Sequence, residues 1–250
     1  MSHFRDLEFD LPSALLRELV TLFEEMTPAA LSQQNVLPLV DGQGVYQLFH
    51  CGKLVYVGKT DNEAGLRKRL LRHCEKVKSR LNLIAEDVCF KAVRIYVFTA
   101  MDLEGALIQH YKSLAPLAWN NSGFGSNDPG RNRDNSAVKR GHFDSLYPID
   151  LDYPVNVVTS EESTAGSLLM QLKEQLPFTI RFQSKSPRSK KPHPDLDETK
   201  VHVDESSRVT ARSILKCISR SLPSEWQITA LPGYVIIYKE ESIYSHGQLI

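Results

Sequence analysis

The sequence has no excess charge of either sign: 30 Lys+Arg stand against 30 Asp+Glu in 250 residues, and the formal net charge is zero. Taken alone, that balance excludes a histone-like basic protein and an acidic disordered chain. Cysteine is scarce. Cys51, Cys74, Cys89 and Cys217 form no C-x-x-C pair, so neither a zinc ribbon nor a disulfide framework is suggested. Reduced thiols and a cytoplasmic location are the simplest reading. No apolar run approaches the roughly 18–20 residues needed to cross a bilayer, so no membrane partner is expected. The stretch 1–10 is acidic and lacks the apolar core of a secretory leader. What remains is the composition of an ordinary soluble globular protein, and the length suits two domains of about 100–150 residues.

The zero sum hides a strong asymmetry. Residues 1–42 carry Arg5 and Arg17 against Asp6, Glu8, Asp10, Glu18, Glu24, Glu25 and Asp41. Residues 65–80 carry Arg67, Lys68, Arg69, Arg72, Lys76, Lys78 and Arg80 against Glu75 alone. A local basic block in a neutral chain points to a localised anionic partner, and a solvated helix face is the competing reading.

The pattern of apolar residues divides the chain. Residues 11–26 have Leu15, Leu16, Leu19, Leu22 and Phe23 at helical spacing, which suits docking on the chain's own domain or dimerisation. Residues 28–34 read as a second short helix. The runs 45–50 and 54–58 are β-rich and flank the turn-like Cys51-Gly52-Lys53, which makes a hairpin. A basic helix over 65–81 follows, then a third strand over Phe90–Thr99, then a helix over Asp102–Leu114 initiated within Thr99–Asp102. Residues 120–141 interleave Gly, Asn, Asp, Ser and Pro with Arg and Lys, and Asn127-Asp128-Pro129-Gly130 suits a type I turn. A stretch this long without an element is more often functional than decorative.

The last hundred residues repeat. Shifted by 46 positions, residues 155–177 match residues 201–223 at nine of 23 positions, among them Thr164, Ala165, Ser167 and Leu169 against Thr210, Ala211, Ser213 and Leu215. Each unit reads as strand, helix, strand, with second strands at Phe178–Gln183 and Trp226–Leu231 and a further strand at Tyr234–Lys239. Tandem βαβ units suggest a ferredoxin-like α+β domain. Between them, Ser184–Lys200 carries Lys185, Arg188, Lys190 and Lys191, then Asp195, Asp197 and Glu198, and reads as a solvated loop or linker.

One group of side chains has chemistry to offer. Tyr46 and Tyr56 fall on the two hairpin strands, where close pairing sets both phenols on one sheet face beside Gly58; Lys59 follows directly. Arg69 and His73 are four apart on the basic helix and share a face, which Lys76 and Arg80 continue. Leu66, Leu70, Cys74, Val77 and Leu81 make the opposing apolar stripe, so Arg69 and His73 point away from the core. Glu104 lies in the first turn of the next helix, where a carboxylate is favoured by the helix dipole and suits a hard divalent cation. Trp119-Asn120 closes the segment. Phosphodiester hydrolysis needs a group to orient or deprotonate water, positive charge on the phosphoryl oxygens, and a held metal. The hairpin–helix–strand–helix unit holds a candidate for each.

Gly44-Val45-Tyr46, Tyr56-Val57-Gly58, Arg69, Glu104 and Asn120, in that order, resemble the signature of the GIY-YIG nuclease superfamily, with Val for Ile at the centre of both tripeptides. Gly58-Lys59, the Leu66-x-x-Arg69-x-x-x-His73 spacing and Gly123-Phe124-Gly125-x-Asn127-Asp128-Pro129-Gly130 resemble more narrowly the type II restriction endonucleases that cut CCGCGG. The resemblance covers roughly residues 43–121 and implies a small antiparallel sheet flanked by helices within a domain over 41–150; the sequence pattern adds an N-terminal helical arm over 1–40 and a C-terminal α+β domain over 151–250. It implies Tyr46 as general base or water-orienting group, its phenol pKa lowered by cations such as Lys59. It implies Arg69 on the scissile phosphate, His73 assisting, Glu104 holding a single Mg2+ (or Mn2+), and Tyr56 and Asn120 positioning the phosphate and the site. Arg72, Lys76 and Arg80, with Arg131, Arg133, Lys139 and Arg140 of the Gly/Asn/Arg-rich loop, are the candidate DNA contacts, by guanine reading or by phosphate contact. The implied function is a site-specific double-stranded DNA endonuclease, a restriction enzyme for a GC-rich palindrome such as CCGCGG. It implies a homodimer whose symmetry mirrors the site. A cognate DNA methyltransferase would act on the same sequence without needing to bind. The alternatives are a structure-specific or weakly specific nuclease of repair, mobility or phage defence, and a catalytically inert DNA-binding module.

Overall fold

The structure is a computed structural model and describes residues 3, 5, 6, 10–61, 63–96, 103–125, 130–136, 138–160, 162–186, 189, 191–203 and 209–250. The chain packs as two compact units. The first comprises residues 1–74 and 84–121, the second residues 75–83 and 122–250.

The first unit opens with helix α1 (Leu11–Glu25). The Asp10 side chain accepts a hydrogen bond from the Ser13 N–H and Pro12 occupies the first turn, so the start is fixed by a cap and a preset φ. Residues 28–34 are not the expected short helix. Strand β1 (Ala29–Ala30) and the single turn α2 (Gln33–Val36) stand there, because β1 pairs with a sheet edge before Ser32 caps α2. Strands β2 (Gly44–His50) and β3 (Lys53–Thr60) make the hairpin, turning through Cys51 and Gly52, both at positive φ. Helix α3 (Leu66–Lys78) is followed by strand β4 (Val88–Arg94) and helix α4 (Leu103–Leu114). The sheet is wholly antiparallel in the order β1-β4-β2-β3. This is the small antiparallel sheet flanked by helices that the sequence implied.

Three differences are physical. The basic helix stops at Lys78, so Arg80 and Leu81 lie past its end and Leu81 is exposed rather than on the apolar stripe. The third strand ends at Arg94; Val97, Phe98 and Thr99, with the helix start at Thr99–Asp102, lie outside the described residues. The apolar stripe of α1 is buried on its own unit: Leu19 and Phe23 pack with Val45 and Val57 of the hairpin and with Leu103 and Leu107 of α4.

The second unit holds the short helix α5 (Phe143–Leu146), helix α6 (Ala165–Gln175), strand β5 (Thr179–Phe182), helix α7 (Pro194–Glu198), helix α8 (Ala211–Ser221) and strands β6 (Trp226–Leu231), β7 (Tyr234–Lys239) and β8 (Gln248–Leu249). The repeat is visible in atomic detail. Thr164 with Ser167 and Thr210 with Ser213 form the same reciprocal capping box at the starts of α6 and α8. The sheet is mixed, in the order β5-β7-β6-β8, with β5 parallel to β7 and the other pairs antiparallel. The leading segments of the repeats do not form strands; among the described residues they make only isolated bridges, Pro154 with Thr210 and Thr164 with Lys200. Each repeat therefore delivers a helix and one strand to a shared core built on Leu168, Leu169, Ile214, Ile218, Ile180 and Ile237.

The linker reading of 184–200 is corrected in part. Helix α7 falls within it, Leu196 is fully buried, and Asp195 accepts hydrogen bonds from Trp226 Nε1 (3.0 Å) and Lys239 Nζ (3.2 Å). Arg188 and Lys190 of that stretch lie outside the described residues, as does the Asn127-Asp128-Pro129 part of the expected turn. The four cysteines, all among the described residues, form no disulfide. No described helix is long and apolar enough to cross a membrane.

Candidate nuclease site

The hairpin register builds the site. Tyr46 pairs with Gly58 and Leu48 with Tyr56, so the two tyrosines lie diagonally across the strands on one face. Their rings are 6.0 Å apart, centroid to centroid. Two glycines make this possible. A β-carbon on Gly58 would sit 2.5 Å from the Tyr46 hydroxyl oxygen, and one on Gly44 would sit 2.3 Å from the Val93 carbonyl of the neighbouring strand. Both distances are far inside van der Waals contact. Gly58 leaves room for the phenol, and Gly44 lets β2 lie against β4.

Helix α3 carries the next two groups onto that face. Leu66, Leu70, Cys74 and Val77 are buried along its apolar stripe, as the spacing predicted. His73 is not on a solvent face, however. It is 4% exposed, and its Nε2 lies 2.8 Å from the Tyr46 hydroxyl. Arg69, half-buried, donates from Nε to the same hydroxyl at 3.4 Å. Tyr46 is fully buried under these partners.

Burial pushes the Tyr46 phenol well above its ordinary pKa, and the neighbouring Tyr56 adds to this against the pull of Arg69. The expected lowering by Lys59 is therefore overturned. Lys59 pairs instead with Glu104, at 3.9 Å. Tyr56 is raised as well, by burial first, with Arg69 lowering it and Glu104 raising it. The tyrosine pair, Arg69 and Glu104 thus share one electrostatic environment. Glu104, in the first turn of α4, keeps a side chain 29% exposed.

Asn120 is tied to the backbone of β3. Its Oδ1 accepts from the Val57 N–H (2.9 Å) and its Nδ2 donates to the Val57 carbonyl (2.9 Å). One residue earlier, the Trp119 N–H donates to the Val55 carbonyl at 2.9 Å. Residues 119–120 therefore cover the outer edge of β3, the edge strand, and fix the backbone between Tyr56 and Gly58. The Asn120 amide is committed to that backbone. Asn121 adopts a left-handed turn conformation.

The candidate DNA contacts divide. Arg72 is exposed on α3. Arg80 is not a surface cation: its side chain is 3% exposed and donates from Nη1 to Asp144 (2.7 Å) and to the Tyr147 carbonyl (3.1 Å). Buried and paired, it is a structural residue. Lys76 donates to the Phe124 carbonyl and lies over the Phe124 and Phe143 rings at 5.1 and 5.5 Å, so its ammonium is held by its own unit. Arg131, Arg133, Lys139 and Arg140 are exposed in the second unit.

Two sets of donors suit metals of different kinds. Glu104 offers a hard carboxylate oxygen with solvent access, which fits magnesium retaining most of its waters. His50, Cys51 and Asp87 each offer one ligand atom within 4.8 Å of the others, a mixed set that suits a borderline-soft ion such as zinc. They gather at the turn end of the hairpin, where the Cys51 N–H donates to the Asp87 carbonyl at 3.0 Å. His50 lies four residues along β2 from Tyr46, about 13 Å by strand rise. Sequence reasoning missed this cluster because Asp87 is brought in by the pairing of β2 with β4.

A hairpin-borne tyrosine pair and a helix presenting Arg and His to it meet on one face, and a helix-start glutamate shares their electrostatic environment. A GIY-YIG nuclease domain is present: the family described as Eco29kI GIY-YIG domain matches residues 56–150. The match begins at Tyr56, and the hairpin register sets Tyr46 diagonally across from it. No curated protein matches the chain. The domain and a cluster able to coordinate a metal are consistent with metal-dependent nuclease activity.

Proposed function

We propose that the protein hydrolyses phosphodiester bonds in double-stranded DNA with one divalent metal held by Glu104. The observation that carries this reading is the convergence of Tyr46, His73 and Arg69 on one buried hydroxyl, within a domain that also presents Glu104. Magnesium, or manganese in its place, would supply a Lewis acid for the phosphoryl and leaving oxygens.

The chain's own residues divide the remaining work. A neutral Tyr46 donates its hydroxyl hydrogen bond to His73 Nε2 and aims its oxygen lone pair at an attacking water. His73, already joined to that hydroxyl, takes the proton that the water gives up, with Tyr46 as relay. This assigns the base to the imidazole, because burial holds the phenol in its protonated form. Arg69 leaves the tyrosine hydroxyl to meet the charge that grows on the phosphoryl oxygens. Tyr56 flanks the phosphate, Lys59 keeps Glu104 oriented, and Asn120 holds the strand that bears Tyr56.

The finer readings belong to the same proposal. We favour a nuclease whose specificity is structural or weak over one committed to CCGCGG, because the matched domain supplies the nuclease chemistry and assigns no base sequence. A type II restriction enzyme is the second reading, favoured by the restriction-enzyme name of the matched family and by the exposed arginines that follow Gly130. A homodimer, a methyltransferase of shared specificity, and domains at 1–40, 41–150 and 151–250, the last ferredoxin-like, go with it. Incubating long unmethylated DNA with the protein and magnesium tests both. Discrete bands support restriction, a smear supports the weakly specific nuclease, and intact DNA overturns both.

A further inference from the structure

Residues 130–142 contain four cations, Arg131, Arg133, Lys139 and Arg140, and one acid, Asp134. The four cations are exposed, whereas the Asp134 side chain is 1% exposed. Its carboxylate is bound twice by the Arg181 guanidinium of β5 and accepts the Tyr234 hydroxyl of β7 at 2.8 Å. Arg181 in turn donates to the Tyr238 hydroxyl at 3.1 Å and lies 4.6 Å over the Tyr234 ring. The one negative charge of the loop is thus turned inward and neutralised by the sheet, and what the loop shows outward is positive.

The ends of the loop are held by the same unit. Arg131 stacks on Tyr238 at 4.3 Å and reaches Glu240 at 3.3 Å. Arg133 contacts His142 at 2.9 Å, and the Asp144 beyond it receives the buried Arg80, whose Nη1 is also 3.5 Å from the Pro232 carbonyl in the β6–β7 turn. A chain of polar and charged groups therefore runs from the loop to β5, to β7 and to the β6–β7 turn.

We infer that the C-terminal sheet is the platform of a DNA-contact surface: it clamps residues 130–136 through Asp134, Arg181 and Tyr234 so that Arg131 and Arg133 meet the phosphates of a duplex. The inference rests on the nuclease reading above. A loop whose regular structure is one short 3-10 turn at Arg131–Arg133 pays conformational entropy if it must order on binding, and fixing it beforehand removes that cost and sets the spacing of its cations. Positive charge displayed on a fixed frame suits a polyanion with regular charge spacing. Asp134, Arg181 and Tyr234 are positioning residues, because none of them needs to touch DNA. The C-terminal repeat gains a role in this way, since its two helices build the core on which β5 and β7 carry the clamp.

The test is duplex binding by the full chain in calcium, as a function of salt. Removing one phosphate contact lowers the slope of log K against log[salt] by about 1. Arg131→Ala with Arg133→Ala is expected to weaken binding about tenfold or more and to lower the slope by about 2. Tyr234→Phe removes one bond to Asp134 and no surface charge, yet it should lower the slope as well; Asp134→Asn should do so more strongly, and Asp134→Glu should restore part of it. A purely structural role for Tyr234 would lower the melting temperature and leave the slope at the wild-type value, and that result overturns the inference. So does an unchanged slope in the double arginine variant. Wild-type protein that neither binds nor cuts DNA would overturn the nuclease reading, and this one with it; wild-type cutting with unchanged slopes in the variants would overturn this one alone.

Discussion

Gly58 stands opposite Tyr46 across the β2–β3 hairpin, and a β-carbon on it would lie 2.5 Å from the Tyr46 hydroxyl oxygen. The glycine and the phenol therefore define one another: the tyrosine can lie flat along the sheet only because its partner has no side chain. Gly58→Ala should push the hydroxyl away from His73 and Arg69 while the rest of the hairpin register survives. A displacement near 1 Å costs on the order of 10²-fold in rate. Cleavage kinetics beside a circular dichroism spectrum check this, and near-native turnover in a folded Gly58→Ala protein would refute the assigned geometry.

Glu104→Gln keeps the size of the side chain and removes its charge. Magnesium-dependent cleavage should vanish while DNA binding in calcium or EDTA remains. Cys51→Ser, at the other donor cluster, should leave magnesium-dependent turnover intact, since a thiol is a poor ligand for a hard ion. The reverse pattern would move the catalytic metal to the hairpin turn.

Asn120→Ala should act through the backbone. It strips both partners from the Val57 peptide on the edge strand, and leaving such groups unsatisfied costs about 1–3 kcal/mol. Urea unfolding measures the destabilisation, and hydrogen exchange should show the Val57 amide as one of the faster-exchanging in the hairpin. Unaltered protection there would show that the side chain is dispensable for the strand.

Arg80 and Arg72, eight positions apart on one basic stretch, should separate cleanly. Arg80→Ala removes the buried partner of the half-buried Asp144 and of the Tyr147 carbonyl, and should destabilise the protein by about 1–3 kcal/mol. Arg72→Ala, on an exposed surface, should change stability by about 0.5 kcal/mol or less and weaken DNA binding. Denaturant melts of both variants decide the first point, and a filter-binding titration the second.

Alkaline stability offers a further check. Burial, then the bond to Glu75 at 2.8 Å, pushes the Tyr153 phenol up to about 12. In the unfolded chain the phenol ionises near 10, so folding favours the neutral form. That contribution is whole below about pH 10 and is lost as pH rises towards about 12. Tyr153→Phe should flatten the fall in melting temperature across that window relative to wild type, and an identical fall in both would show that the Glu75 contact carries no such linkage.

The hairpin, the basic helix and α4 were legible because each writes its own period into the sequence: alternation for β2 and β3, Leu66, Leu70, Cys74 and Val77 for α3. The repeat was legible as identities, and its caps as Thr-x-x-Ser. The leading strands of the repeat were misread because Val155, Val157, Val201 and Val203 have β-like composition, whereas whether such a segment pairs depends on a neighbour the local sequence does not name.

Chemistry was harder to read than position. Residue types and order were enough to bring Tyr46, Tyr56, Arg69, His73 and Glu104 together as candidates. Their states came from tertiary packing. The Tyr46 phenol is buried, so its ionisation is opposed; no count of nearby cations along the chain could show how much water the fold removes. The same holds for Arg80 and Asp134. Each looks like an ordinary charge in a polar stretch, yet each is buried, because its partner (Asp144 or Arg181) arrives from 64 or 47 residues away. The sequence by itself determined the elements, the repeat and the set of reactive side chains, because those are local periodicities and residue types. Only the tertiary structure decided which charges face water, which are neutralised inside, and where the protons rest, because desolvation and long-range pairing are properties of the packed chain.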